Sequence, residues 1–491
     1  MSELVLAAIA LSGVAYLTVS WRLSRRSSEL RDHLPMTSDD SQASIRNSSE
    51  FSAATVATTI SLATVVLAYT ELAGYMGLWL LWTVFTTCMG IFVVRMLAPR
   101  IWQRLARHGR LKPTLHEFIG GAFGSTTVMR VAAICTSLGF VGALAVELTV
   151  GSTFLSQLAP AVPRWAALII LAGIGITYTS LGGFRAVVVT DRMQMIAIWL
   201  SIVGLVVLVA ATIHIGGGWG AFAERIPKTV YDFSPRDGLY AFLIGILVIN
   251  VPTFLGDMSV WQRIAASQSE ETVRRGLGGS VVLAFFSWTL LALLACGIVG
   301  LVAPREGVNP LVNFLSQAGQ LALPGVWLVL LIVFIGMFAA SLSTASTQLI
   351  AAGHSLHIDV LHGGNRAHLA DSKSELLVSR RLLVACAIAA VAVVETLQAL
   401  GFSIADLVFA VYGSQLGLVP VALAALFLDH EWLKKLSGFA VVAVGMGFLV
   451  GWAAAALGKL TGNGDLVFLS PALSFASSGL TILLGLVSGW R

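Results

Sequence analysis

Charge is scarce in this sequence. Only 11% of its 491 residues are Asp, Glu, Lys or Arg, less than half of the roughly 25% usual for a soluble domain, which excludes an ordinary water-soluble fold. Cysteine is scarcer still. The four present, Cys88, Cys135, Cys296 and Cys386, all lie in apolar stretches without the spacing of a disulfide framework or a zinc site, so they read as packing residues. No His-Glu-x-x-His and no Ser/His couple at matching depth is present, which takes away the usual signatures of an intramembrane enzyme. The N-terminus lacks a basic stretch before its first apolar run and carries Arg22, Arg25 and Arg26 after it. That order suits an uncleaved first span rather than a signal peptide. The last apolar run is followed at once by Arg491, so no kinase-like output domain is expected there.

Hydrophobic residues, by contrast, make up 57% of the chain. Leu4–Val19, Leu200–Ile213 and Leu436–Leu457 sit in runs of about 20 residues, long enough to cross about 30 Å of hydrocarbon. Spanning segments must satisfy their own backbone, so an all-α membrane protein follows. Thirteen spans are expected, in a single transmembrane domain covering 1–491. The basic residues fix an orientation. With the N-terminus outside, 24 of the 30 Lys and Arg fall on the inner side, as the positive-inside rule requires, and the C-terminus is cytoplasmic. The expected place is a cell membrane, crossed many times and surrounded by the lipid bilayer. The net charge of +5 resides in short loops and does not point to nucleic acid. An inner loop at 357–379 carries His357, His362 and His368, whose irregular spacing reads as a solvated loop rather than a metal site.

Three segments carry chemistry. In span seven, Pro252 removes a backbone donor, Gly256 loosens the next turn, and Asn250 and Thr253 flank the expected break. Such a break is tolerated at membrane depth where it lines a cavity, and transporters use it to aim half-helix ends at an ion or solute. A simple proline kink gives the same sequence. In span nine, Ala340, Ser343 and Thr344 stand at i, i+3 and i+4 on one face. Two hydroxyls beside a carbonyl supply the hard oxygens sodium needs, although small hydroxylated residues also line ordinary helix contacts. Between spans five and six, Gly182 and Gly183 make a turn ahead of Asp191, which reads either as a helix cap or as part of a cation path.

The runs Gly182 to Gln194 (Gly-Gly-x-x-Ala-Val-x-x-Thr-Asp-x-x-Gln) and Asp257 to Arg263 (Asp-x-x-x-x-Gln-Arg), with the Ser343–Thr344 patch, resemble the sodium:solute symporter family. The resemblance implies a leucine-transporter-like fold of two inverted five-helix repeats, spans 2–6 (about 50–215) and 7–11 (about 238–428), with one extra helix before them and two after. It implies a sodium-coupled symporter working by alternating access, with Na+ as the coupling ion and a small-molecule solute as the cargo, acting as a monomer. Its common sodium site would take the hydroxyls of Ser343 and Thr344, the carbonyl of Ala340, and the carbonyls of Thr58 and Ser61 from an unwound stretch of span two. No Gly or Pro marks that stretch. Asp191 would lie on the inward sodium route.

For the solute, the resemblance points to Asn250, Thr253, Tyr412, Thr64 and Glu147. The last stands where the family commonly has a glutamine. Val65 and Val84 occupy the positions of sugar-binding polar residues, and no Lys or Arg sits at mid-depth. A zwitterionic or other organic solute is therefore expected rather than a sugar. Proton coupling through Glu147 or Asp191, and a membrane sensor on the same scaffold, remain open from sequence.

Overall fold

The computed structural model describes residues 1–25, 30–35, 44–106, 112–321, 323–365, 373–399 and 401–488; His368, Arg26, Arg366 and Arg491 lie outside the described residues. Eleven helical segments among these residues are long and apolar enough to cross a membrane. In chain order the principal helices are α1 (Ser2–Ser24), α2 (Ser48–Thr59), α3 (Ala68–Met76), α4 (Leu81–Ala106), α5 (Leu115–Phe123), α6 (Thr126–Leu158), α7 (Arg164–Ile215), α8 (Leu239–Gly256), α9 (Met258–Ala266), α10 (Glu270–Val299), α11 (Pro310–Ala318), α12 (Val326–His354), α13 (Lys373–Ala399), α14 (Ile404–Ser414), α15 (Val419–Phe427), α16 (Ser437–Thr461) and α17 (Gly464–Ser488). Their starts are set by side chains that take up free N–H groups. Asn47 accepts from the Glu50 N–H, and Thr114 with Glu117 forms a reciprocal capping box.

Two segments are too long for one crossing. Leu62–Leu105 has 44 residues and α7 has 52; at the helical rise of 1.5 Å per residue the latter extends about 78 Å, more than twice a bilayer core. Each contains a glycine with left-handed backbone, Gly77 (φ 55°) and Gly183 (φ 59°). At Gly183 a side chain would be excluded by space as well, because a Cβ there would lie 2.5 Å from the His33 ring. The carbonyls of Ser180 and Leu181, freed by this kink, accept from the Arg380 guanidinium at 2.9 and 3.3 Å. His33 itself is 1% exposed, and burial, with the neighbouring Arg380 charge adding to it, holds its imidazole down at about 3.

Among the described residues, α6, the α14–α15 segment and α12 are the most buried spans. The outward faces are apolar, with Leu11, Ile196, Leu449 and Leu460 exposed, as a hydrocarbon surround demands. Charged groups are sent inward. Glu50, Glu147, Asp191, Arg263 and Asp359 are all at most 2% exposed, which is tolerable only where each finds partners.

Candidate functional site

Two helix interruptions frame this interior. Helix α2 stops at Ile60 (φ −89°, ψ 76°), Ser61 is extended, and the chain resumes as a π-helical turn over Leu62–Leu67. No glycine or proline is needed, because Ser61 Oγ accepts the Thr64 N–H at 2.9 Å and so starts the second half. The other interruption lies five residues beyond the position expected from proline. Pro252 sits inside α8, and the helix ends at Gly256. Asp257 (φ −81°, ψ 110°) then caps α9, its Oδ1 accepting the Ser259 N–H at 2.7 Å. A lone proline costs one hydrogen bond and can be carried through, whereas a capping carboxylate gives the chain a new helix start. Both breaks therefore have the same local chemistry.

Helix α12 passes beside the first break. Thr344 Oγ1 lies 3.2 Å from the carbonyl oxygen of Thr58 and 3.1 Å from that of Ala340, so three oxygens converge between α2 and α12. Ser343, one residue earlier, donates to Asp191 Oδ1 at 2.7 Å. The carbonyl of Ser61 is engaged elsewhere, accepting the N–H groups of Val65 and Val66 at 3.3 and 3.2 Å. Asp191 is no helix cap. It stands eight residues past the Gly183 kink, inside α7, and its carboxylate faces α12 rather than a free N-terminus.

A second feature departs from the sequence reading. Arg263, counted there with the inner loops, is 2% exposed. Its Nη2 donates to the hydroxyls of Thr58 and Thr347, both at 3.2 Å, and lies 3.9 Å from Asp191 Oδ2. A permanent cation thus stands next to the convergent oxygens. The quoted Asp-x-x-x-x-Gln-Arg run contained this residue, and what hid its role was the assumption that an arginine at a helix end faces water.

The residues expected around the solute fall into two groups. Glu147, fully buried on α6, accepts a hydrogen bond from the Ser61 hydroxyl at the first break. Thr64 shares that break through its backbone bond to Ser61. Asn250 instead faces α4, donating to the Thr86 hydroxyl at 2.9 Å and the Thr83 carbonyl at 3.2 Å. Gly90 permits this approach, since a Cβ there would lie 2.2 Å from the Asn250 carbonyl oxygen. Thr253 Oγ1 bonds back to the Ile249 carbonyl of its own helix. Tyr412 on α14 accepts from Gln348 Nε2 at 2.9 Å. Gln348 was missed from sequence, yet it follows Thr344 by four residues on the same face of α12.

The two ends of the bundle differ. Where α6 finishes, a cavity of about 600 Å³ opens between Leu67, Glu71, Thr149, Gln157, Asn309 and Leu407. At the opposite end the space beside Lys112, Trp261 and His354 is only about 10 Å³. A buried polar cluster adjoins that space through Thr114. Asp359 accepts from Thr114 Oγ1 and pairs with His116 Nδ1, both at 2.8 Å, while His116 Nε2 meets Thr136 Oγ1 at 3.0 Å.

Known transporters stand among the proteins that this chain resembles. A sodium/pantothenate symporter of Escherichia coli (strain K12) is 29% identical over 178 residues, covering 35% of this chain and 36% of that protein; the match thus spans little more than a third of the relative. In fold the chain is similar to a substrate-bound, outward-open Na+-coupled sialic acid symporter, with a TM-score of 0.73 at 17% identity over 99% of this chain and 98% of the other. It is also similar to a nucleobase-cation-symport-1 family transporter in a closed conformation (TM-score 0.57, 12% identity, 94% and 96% covered) and to MhsT in complex with L-phenylalanine (0.52, 17%, 89% and 98%). These are likenesses of the leucine-transporter-like fold. The model of the sodium:solute symporter family matches residues 48–432, well over half of the sequence, and the chain belongs to that family.

Proposed function

We propose that this protein is a sodium-coupled symporter that moves a small polar organic solute by alternating access. The observation that carries the reading is the meeting of Thr344 Oγ1 with the Thr58 and Ala340 carbonyls at the break after α2. Neutral oxygens aimed at one point, beside a helix interruption, are the chemistry of a sodium ligand set. In this reading Ala340, Ser343, Thr344 and Thr58 hold the ion and Asp191 lies on its way inward. The Ser61 carbonyl joins only when its bonds to Val65 and Val66 open. Glu147, Thr64, Asn250, Thr253 and Tyr412 line the solute's space.

Splitting Leu62–Leu105 and α7 at their left-handed glycines makes thirteen crossings, with the N-terminus outside and the C-terminus inside a cell membrane. The two capped interruptions, at Ser61 and Asp257, then open two inverted repeats at about 50–215 and 238–428. In this orientation the 600 Å³ cavity faces outward, and the His116–Asp359 cluster closes the cytoplasmic end. The bilayer surrounds a single working protomer.

The test is uptake into proteoliposomes of a labelled panel containing zwitterionic amino acids, organic acids including pantothenate, polyamines and a sugar. Accumulation of one organic solute driven by an inward sodium gradient is expected. Uptake indifferent to sodium, or driven by a proton gradient alone, would overturn the reading.

A further inference from the structure

We propose that His357, His362 and Glu375 form a binding site for a divalent transition-metal ion of the zinc class, at the end of the bundle where α12 finishes. The backbone sets the geometry. Beyond His354 the chain continues as a π-helical turn, Ser355–Leu361, and the His362 N–H bonds to the His357 carbonyl at 3.3 Å. That i to i+5 bond is the mark of a π-helix. In an α-helix, at about 100° per residue, side chains five apart point to nearly opposite sides. The wider turn brings His357 and His362 onto one side, their ring centroids 5.2 Å apart. The spacing that looked irregular is regular for this turn.

Glu375, near the start of α13, completes the group. Its Oε2 lies 2.9 Å from Nε2 of both histidines, and all three ligand atoms lie within 4.8 Å of one another. Zinc bonds of about 2.0–2.2 Å in a tetrahedron place ligand atoms roughly 3.3–3.5 Å apart. The carboxylate would therefore withdraw by a few tenths of an ångström, a movement open to a side chain that is 17% exposed. Two imidazoles and one carboxylate are a donor set that suits zinc and its neighbours, with the remaining position left to water. His357 is fully buried while His362 is 19% exposed, so one anchor is held by packing and the site still has a solvent-side approach. No residue of the sodium or solute regions takes part.

The experiment uses the tag-free, full-length protein in detergent and zinc chloride as the probe. Calorimetry should give one zinc ion per chain, and cobalt(II) substituted for it should show the visible bands of low-symmetry coordination. His362→Ala and Glu375→Gln should each weaken zinc binding at least tenfold while the sodium-dependent rise in melting temperature stays as in the unaltered protein. Because Glu375→Gln keeps size and shape, it also covers the case in which His362→Ala fails to fold. Absence of zinc binding at micromolar free zinc, or full affinity in the variants, would overturn the proposal.

Discussion

Replacing Thr344 by alanine removes one hydroxyl that touches two carbonyls, at 3.1 and 3.2 Å. Without sodium, the loss is one buried hydrogen bond shared between α2 and α12, worth about 1 kcal/mol. With sodium, the loss is an oxygen ligand of a full charge. Bonds to charged groups are worth about 1.5–3 kcal/mol, which corresponds to roughly a 10- to 100-fold weaker affinity for the ion. The two costs separate in a melting experiment. At a sodium concentration 100 times the dissociation constant, binding stabilises the protein by about 2.7 kcal/mol; weakened 50-fold, the same concentration gives only about 0.7 kcal/mol. Melting temperatures in sodium chloride and in choline chloride of equal ionic strength measure this directly. Thr344→Ala is expected to lose most of the sodium-specific increment, and Thr344→Ser, which keeps the hydroxyl, to retain most of it. An unchanged increment in the alanine variant would refute the assignment, whatever its effect in choline.

Further expectations concern the neighbouring charges. Asp191→Asn should slow turnover more than it weakens equilibrium solute binding, because it alters the group bonded to Ser343 and near Arg263; equal loss in both quantities would place Asp191 in general stability instead. Glu147→Gln preserves the acceptor for Ser61 but removes the charge. It should lower uptake of an amine-bearing solute at least tenfold with sodium-dependent stabilisation intact, and normal uptake would leave Glu147 as the structural partner of Ser61. Burial holds the folded His33 imidazole down at about 3, whereas it titrates near 6.5 when unfolded. Its contribution is thus complete above pH 6.5 and lost as pH falls toward 3. Between pH 7.5 and 5 that amounts to about 2 kcal/mol, seen as a steeper fall in melting temperature for the native protein than for His33→Gln; parallel pH profiles would contradict it.

The helical membrane architecture was legible because hydrocarbon leaves the backbone few options, and runs of twenty apolar residues announce them. Ala340, Ser343 and Thr344 were legible for a similar reason: a 3.6-residue period puts them on one face whatever surrounds them. The interruptions were less so. Proline and glycine are the residues by which breaks are recognised, yet one break rests on Ser61 and the other on Asp257, five residues past Pro252. Both depend on a side chain taking up a free N–H, a choice made by local geometry. Arg263 was misplaced because the partners that retain it, Thr58, Thr347 and Asp191, come from three other stretches of the chain. His357 and His362 were read as part of a solvated loop, because nothing in the residues themselves announces the π-helical turn that pairs positions five apart.

The turn at Ser355–Leu361 has a consequence for chain length. A π-helical turn holds one residue more than an α-helical turn in the same axial space, so this stretch counts residues as well as choosing them. Removing one of them would let the stretch relax to the tighter winding while the chain beyond keeps nearly its direction, because the wide turn is what had absorbed the extra residue. What changes lies inside the turn: positions five apart would no longer stand on one side, so His357 and His362 would part with no charged residue altered. In relatives that align here with a one-residue gap, the gap itself, rather than any substitution, is the informative character.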